Sequence, residues 1–236
     1  RMILTSTGKI VNPFSLLTED ICVQDIAYSL AGQRRFSGHA YGDYSVAEHS
    51  VLVMLLVLEE VSTKGKFSPA EISQACLDAL FHDEAYISDI PGPIKKNLSC
   101  AEELELLEDK VWKTIATKYK LSSSLSDIVK AADEACLINE MSCLFTEGNT
   151  GVDTLFGTDA FREDPHAILR RIINQIDLPL ASIYKGEIAT EIDSTYPEVK
   201  NLTSTSSLES LNREEAERLF ISMTSILLGM RHEFIV

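Results

Sequence analysis

The stretch Ser45-Val-Ala-Glu48-His49-Ser-Val-Leu-Val-Met-Leu-Leu-Val-Leu58 carries the reading that decides the fold. A serine followed three positions later by a glutamate marks a helix start, because each side chain can reach a free amide of the first turn. The box therefore predicts a helix over 49–61. Three further boxes repeat the signal. Ser68-Pro69-Ala-Glu71 precedes a helix over 72–82, with Pro69 where its missing N–H costs nothing. Ser99-Cys-Ala-Glu102 opens 103–119, where Leu106, Leu107, Val111, Trp112 and Ile115 recur at helical spacing, and Asn212-Arg-Glu-Glu215 opens the closing helix at about 212–232. Two more helices are expected over 126–145 and, after Asp164-Pro165, over 165–176, with a short one near 24–33. No segment alternates with period two for long enough to make a sheet, so the expected fold class is all-α.

Segments 148–164 and 178–207 are rich in Gly, Thr, Ser, Asp and Pro and read as long connections. The expected organisation is one domain: a core over about 20–145, an accessory loop-rich segment over about 146–210, and the closing helix.

Composition narrows the function. The chain has 236 residues, 45% of them apolar, with 36 Asp and Glu against 21 Lys and Arg for a formal net charge of −15. A surplus of acid argues against a nucleic-acid polymer as partner, since phosphate backbones are bound by basic faces that release counterions. An anionic small molecule needs only a locally basic site. The longest apolar run, Val51 to Leu58, falls short of the roughly 18 residues of a membrane span. The amino-terminal stretch lacks the basic start and apolar segment of a secretory signal, so a cytoplasmic protein is expected. Five scattered cysteines with no Cys-x-x-Cys pair read as reduced core thiols.

The five histidines are His39, His49, His82, His166 and His232. His82-Asp83 ends an apolar helix, and His49 lies in the helix before it. Asp133 sits in Val129-Lys-Ala-Ala-Asp133-Glu-Ala-Cys136, among small and apolar neighbours. Two imidazoles and two carboxylates from three helices would form a mixed nitrogen and oxygen set for one divalent transition metal ion: Mn, Fe, Co, Ni or Zn. A buried acid needs a partner, and a cation is one. The plainer alternative for Asp133 is an exposed acid beside Glu134, and for His49 an ordinary core histidine.

These residues stand within strings, Arg35-Phe36-Ser-Gly38-His39, Tyr44-Ser-Val-Ala-Glu-His49, Ala79-Leu-Phe-His82-Asp83, Asp89-Ile-Pro91-Gly-Pro93-Ile-Lys95 and Val129-Lys-Ala-Ala-Asp133. Together and in this order they closely resemble HD-domain phosphohydrolases, and more narrowly their bacterial and phage 5'-deoxynucleotidase-like branch. The resemblance covers about 3–145. It implies a helical bundle, a metal held by His49, His82, Asp83 and Asp133, and hydrolysis of a phosphate ester on a nucleotide. It further implies Arg35 and Lys95 at the phosphate, Phe36 against base or sugar, Asp89 as a polar contact to sugar or leaving group, His39 in an orienting role, and a homodimer.

One departure bears on catalysis. The family reads His-Asp, two residues, then Glu-Ala-Tyr; here Glu84 comes directly after Asp83. Removing two residues from a helix rotates every later side chain by about 200 degrees, so Glu84 fills the water-positioning role only if the helix ends or bulges at Asp83. Three functions are expected on this basis: a nucleotidase acting on deoxynucleoside monophosphates, a triphosphohydrolase with the same site, or a degenerate HD domain that binds nucleotide as a regulatory module.

Overall fold

Capping decides where the helices begin. The computed structural model describes residues 2–40, 44–63, 67–83, 85–87, 92–145 and 211–233. Helix α1 spans Val23–Gly32, α2 Val46–Thr63, α3 Pro69–Leu80, α4 the single turn Gly92–Lys95, α5 Ala101–Tyr119, α6 Asp127–Cys143 and α7 Arg213–Glu233. Three of the four expected boxes form. Glu48 Oε2 accepts from the Ser45 amide at 2.9 Å, Glu71 Oε2 from the Ser68 amide at 2.8 Å, and Glu215 Oε2 from the Asn212 amide at 2.9 Å. Helix α6 begins behind Ser126, whose side chain accepts from the Val129 amide.

The fourth box does not form. A turn closed by the Ala101 amide on the Leu98 carbonyl carries Ser99 past the capping position, so α5 starts behind Cys100 with no side-chain cap. A two-residue antiparallel ladder, β1 (Ile3–Leu4) against β2 (Ile10–Val11), is the only sheet among the described residues. The fold is all-α. The expected helix over 165–176 and the accessory segment lie outside the described residues.

Helix α2 is the centre of the bundle: α1, α3, α6 and α7 all pack on it, and α7 also packs on α1 and α3. Its run Val51 to Leu58 explains this placement, since a helix apolar around its whole circumference is stable only when surrounded. Every residue of that run except Leu56 is buried. The core extends through Leu77, Leu80 and Phe81 of α3 and its cap to Phe220 and Leu227 of α7. Helix α5 lies at the edge and buries only Val111, Ile115 and Ala116. Leu106, expected on its apolar stripe, is 70% exposed. No helix among the described residues is long and apolar enough to cross a membrane.

A prediction separates the two apolar settings. Leu58→Ala, in the fully surrounded helix, should lower the unfolding free energy by about 2–5 kcal/mol in urea titrations. Leu106→Ala should change it by no more than about 0.5 kcal/mol.

Candidate metal centre

His49 is the fourth residue of α2, so the point where that helix starts fixes where its imidazole goes. Two constraints set the start. The Val46 amide donates to the Gln33 carbonyl at 3.0 Å, and the Arg35 amide to the Tyr44 carbonyl at 3.2 Å, holding segment 33–36 against 44–46. Glu48 caps the helix through Oε2, and its Oε1 accepts from the Leu211 amide at 2.8 Å, tying in the residues that lead to α7. Burial pushes the Glu48 carboxyl up to about 7, against the pull of these amide donors. Its oxygens are thus committed to backbone, which leaves no role for Glu48 at a bound water.

The side chain of His49 is wholly buried. Its Nδ1 lies 2.6 Å from Glu140 Oε1. Glu140 also accepts from the Tyr44 hydroxyl at 2.6 Å, from Arg35 through Oε2 at 3.0 Å, and from the Cys136 thiol at 3.3 Å. Burial alone would raise the Glu140 carboxyl, but the imidazole and guanidinium beside it hold it at about 2. A carboxylate can only accept, so Nδ1 of His49 carries the proton and Nε2 is turned the other way.

His82 reaches the same arrangement by a different route. It comes after Phe81, the cap of α3, and its Nδ1 lies 2.7 Å from the Ala79 carbonyl of that helix. A carbonyl also only accepts, so here too Nε2 is the outward atom. Both Nε2 atoms are buried and lack a well-aligned hydrogen bond.

The two nitrogens converge on carboxylates. Asp133 Oδ1 lies 3.0 Å from His49 Nε2 and 3.6 Å from His82 Nε2. Asp83 meets the same pair with a different oxygen to each, Oδ2 at 3.8 Å from His49 and Oδ1 at 3.6 Å from His82. Ligands about 2.1 Å from a shared ion stand roughly 3.0–3.4 Å apart at octahedral or tetrahedral angles; the His49–Asp133 spacing falls in that range and the other three are wider by a few tenths of an ångström. His49, His82 and Asp133 form a group able to hold a metal ion, and Asp83 lies beside both imidazoles but outside that group. The centre is walled on one side and open on the other: the side chains of His49, His82 and Asp133 are 0%, 5% and 44% exposed.

A second group, His49 with Cys136 and Glu140, is wholly buried. Burial and the neighbouring Glu140 push the Cys136 thiol up to about 12, and the thiol donates to Glu140. This group is the back of His49. Glu140 and Tyr44 are residues that sequence reasoning missed. The available signal was spacing: Asp133, Cys136 and Glu140 fall at i, i+3 and i+7, one face of α6.

Of the residues expected at phosphate and sugar, Arg35, Phe36 and Lys95 are among those described. Arg35 is 11% exposed and directed at Glu140, where it keeps that carboxylate ionised, instead of facing an open surface. Phe36 and Ser37 take left-handed backbone at φ 54° and 55°, and this turn sets the Phe36 ring edge-on to Phe145 at 5.2 Å. Lys95 pairs with Glu108 at the margin of a cleft of about 440 Å³ that His82 and Asp83 also line. His39 is exposed at the end of its turn. Glu84 and Asp89 lie outside the described residues.

No family model matches the chain. It is 36% identical over 140 residues to the uncharacterized protein YfdR of Escherichia coli, covering 58% of this chain and 69% of that protein. It is also 32% identical over 148 residues to an uncharacterized protein of Rhodobacter capsulatus, covering 58% and 70%. The chain belongs to the family of these two proteins.

The electrostatics give a signed prediction for protein stripped of metal. Glu140, at about 2 against an ordinary 4.5, adds stability that is present above pH 4.5 and lost as pH falls toward 2. For His49, burial pulls the imidazole down, but Glu140 and Asp133 outweigh it and raise the value well above 6.5. That contribution is full below pH 6.5 and is lost as pH climbs through the raised value. Urea midpoints of chelator-treated protein should therefore peak between those limits. Glu140→Gln should flatten both slopes and weaken metal binding by about 10–100-fold in competition titrations, because the imidazole loses its anionic acceptor.

Proposed function

We propose that this member of the YfdR family is a metal-dependent phosphohydrolase that cleaves the phosphate ester of a deoxynucleotide, with deoxynucleoside 5'-monophosphates as its substrates. The observation that carries this reading is the pair of buried Nε2 atoms on His49 and His82, each with its other nitrogen fixed by an acceptor and each turned toward the same carboxylate oxygen of Asp133. Buried polar atoms normally find partners, and two such atoms aimed at two carboxylates form a site that wants a cation. Mixed imidazole and carboxylate ligation suits one divalent ion of the Mn to Zn series.

Each residue has a definable task. His49 and His82 present neutral nitrogen lone pairs, because Glu140 and the Ala79 carbonyl hold their remaining protons. Asp133 and Asp83 supply negative charge that offsets the ion's own. The half-exposed side of Asp133 is where water and a phosphate oxygen would enter. A divalent cation bound there supplies an ionised water near neutral pH and stabilises charge on the phosphoryl oxygens. Lys95, at the cleft margin beside His82 and Asp83, brings a positive charge to the side where the ester would lie; an incoming phosphate would compete with Glu108 for its ammonium.

A second reading rests on the adjacency of Asp83 and Glu84, which departs from the spacing of the resembled enzymes. It makes the protein a nucleotide-binding regulator that keeps the metal and lacks turnover.

Elemental analysis of the purified protein, with phosphate release measured on a panel of dNMPs and dNTPs, tests both. The first reading expects about one transition-metal ion per chain and release from dNMPs, reduced at least about 100-fold by His82→Ala or Asp83→Ala. Metal without release from any substrate favours the second. Purified protein that neither retains nor takes up a divalent metal removes both.

A further inference from the structure

The cleft beside the metal centre differs in character from a phosphate site. It is about 440 Å³, within the range of about 300–1,000 Å³ found for small-ligand pockets. His82 and Asp83 are among its lining residues. Its lining also includes an apolar group, Val111, Trp112 and Ile115 of α5 with Leu125 of the connection to α6. The exposed Ser123 and Ser124 stand at its rim. Trp112 is the most telling of these. It is half-buried, and its indole N–H, shielded from solvent, finds no acceptor among the described residues. An aromatic ring whose polar edge lacks a partner, in the wall of a cavity that His82 and Asp83 also line, is a contact made for something not belonging to the chain.

Charge decides what that something is. Glu105, Glu108 and Asp109 line the cleft against Lys95 and Lys130, so carboxylates outnumber ammoniums, and the Lys95 ammonium is already paired with Glu108. A chain of two or three phosphates laid along this wall would meet net negative charge. A flat, uncharged heteroaromatic group would not; it gains contact with the Trp112 ring and hydrogen bonds from the serine hydroxyls.

Building on the phosphohydrolase reading above, we propose that the cleft seats the nucleoside end of the substrate, with Trp112 as the aromatic platform that determines specificity. The scissile phosphate then lies beside His82 and Asp83, and the acidic wall disfavours nucleotides that carry further phosphates. Trp112 touches the part of the substrate that does not react, so it contributes to binding and not to the chemical step.

Trp112 is the only tryptophan in the chain, which makes the cleft directly observable. Titrating the metal-loaded protein with deoxyadenosine and with thymidine, neither of which can be hydrolysed, should change its intrinsic fluorescence saturably. Inorganic phosphate alone should not. In phosphate-release assays Trp112→Leu should raise KM for dNMPs by about 5–100-fold with little change in kcat, the loss expected when a stacking platform is removed. Trp112→Phe should retain most of the wild-type KM. Metal content of both variants controls for folding. Saturable quenching by nucleosides without phosphate release would sustain the cleft assignment while removing the hydrolase reading. Phosphate release with a KM insensitive to Trp112→Leu, or wild-type fluorescence unmoved by any nucleoside, overturns the proposal. If Trp112→Leu does not fold, the wild-type titration decides alone.

Discussion

The buried carboxylate of Glu140 is the constraint on which the centre depends. A charge enclosed in protein is expensive unless it is fully paired, and this one is paired four ways: with the His49 imidazole, the Arg35 guanidinium, the Tyr44 hydroxyl and the Cys136 thiol. Those partners come from separate parts of the chain, so satisfying one side chain ties the turn at 35–38 and Tyr44 to α2 and α6. The same pairing decides the chemistry of His49. With Nδ1 given to Glu140, only Nε2 remains to face Asp133, so the interaction that relieves a buried charge also selects the atom available to a metal.

The rest of the fold sets distances around that pairing. Glu48 does for the backbone what Glu140 does for the imidazole, capping α2 with one oxygen and receiving the Leu211 amide on the other. A shift in the approach to α7 would therefore be felt at the first turn of α2, one residue from His49. On the opposite side, α3 ends at Leu80 with Phe81 packed against Tyr119 and Phe220, and this packing fixes where His82 and Asp83 emerge. The two imidazoles come to 5.2 Å between ring centres although 32 residues separate them in sequence. Neither helix end could tolerate a one-residue slip, since each added residue rotates a helical side chain by about 100 degrees.

Much of this was legible because capping chemistry is local. Ser45, Ser68 and Asn212 each sit three residues before an acid, and all three boxes form; Ser99 shows the same pattern and fails because a preceding turn, invisible in the four residues themselves, moves the helix start. The approach of His49, His82 and Asp133 to one another was readable as a pattern of ligand types on successive helices. Glu140 was not, because an acid at the end of a helix resembles a solvent-facing residue until its neighbours in three dimensions are known. Arg35 illustrates the converse. A basic residue beside a candidate site suggests a phosphate contact, yet the nearest anion belongs to the protein itself. Leu106 has the spacing of the apolar stripe of α5 and is nonetheless exposed, since periodicity cannot tell which helix lies at the edge of a bundle and leaves part of its stripe uncovered.

The net charge of −15 then sets the terms on which any anionic ligand would be bound. Long-range attraction cannot draw a nucleotide to a surface of this sign, and at physiological salt charges interact strongly only within a Debye length of about 8 Å. Affinity must be generated at contact. Two features of the molecule suit that range: a group of nitrogen and carboxylate atoms able to hold one ion, and a cleft beside it whose lining includes the apolar Val111, Trp112, Ile115 and Leu125. Under the proposal made for the cleft, an acidic surface that repels polyanions and an apolar contact for an uncharged base would together favour a small ligand with one phosphate over a nucleic-acid chain with many.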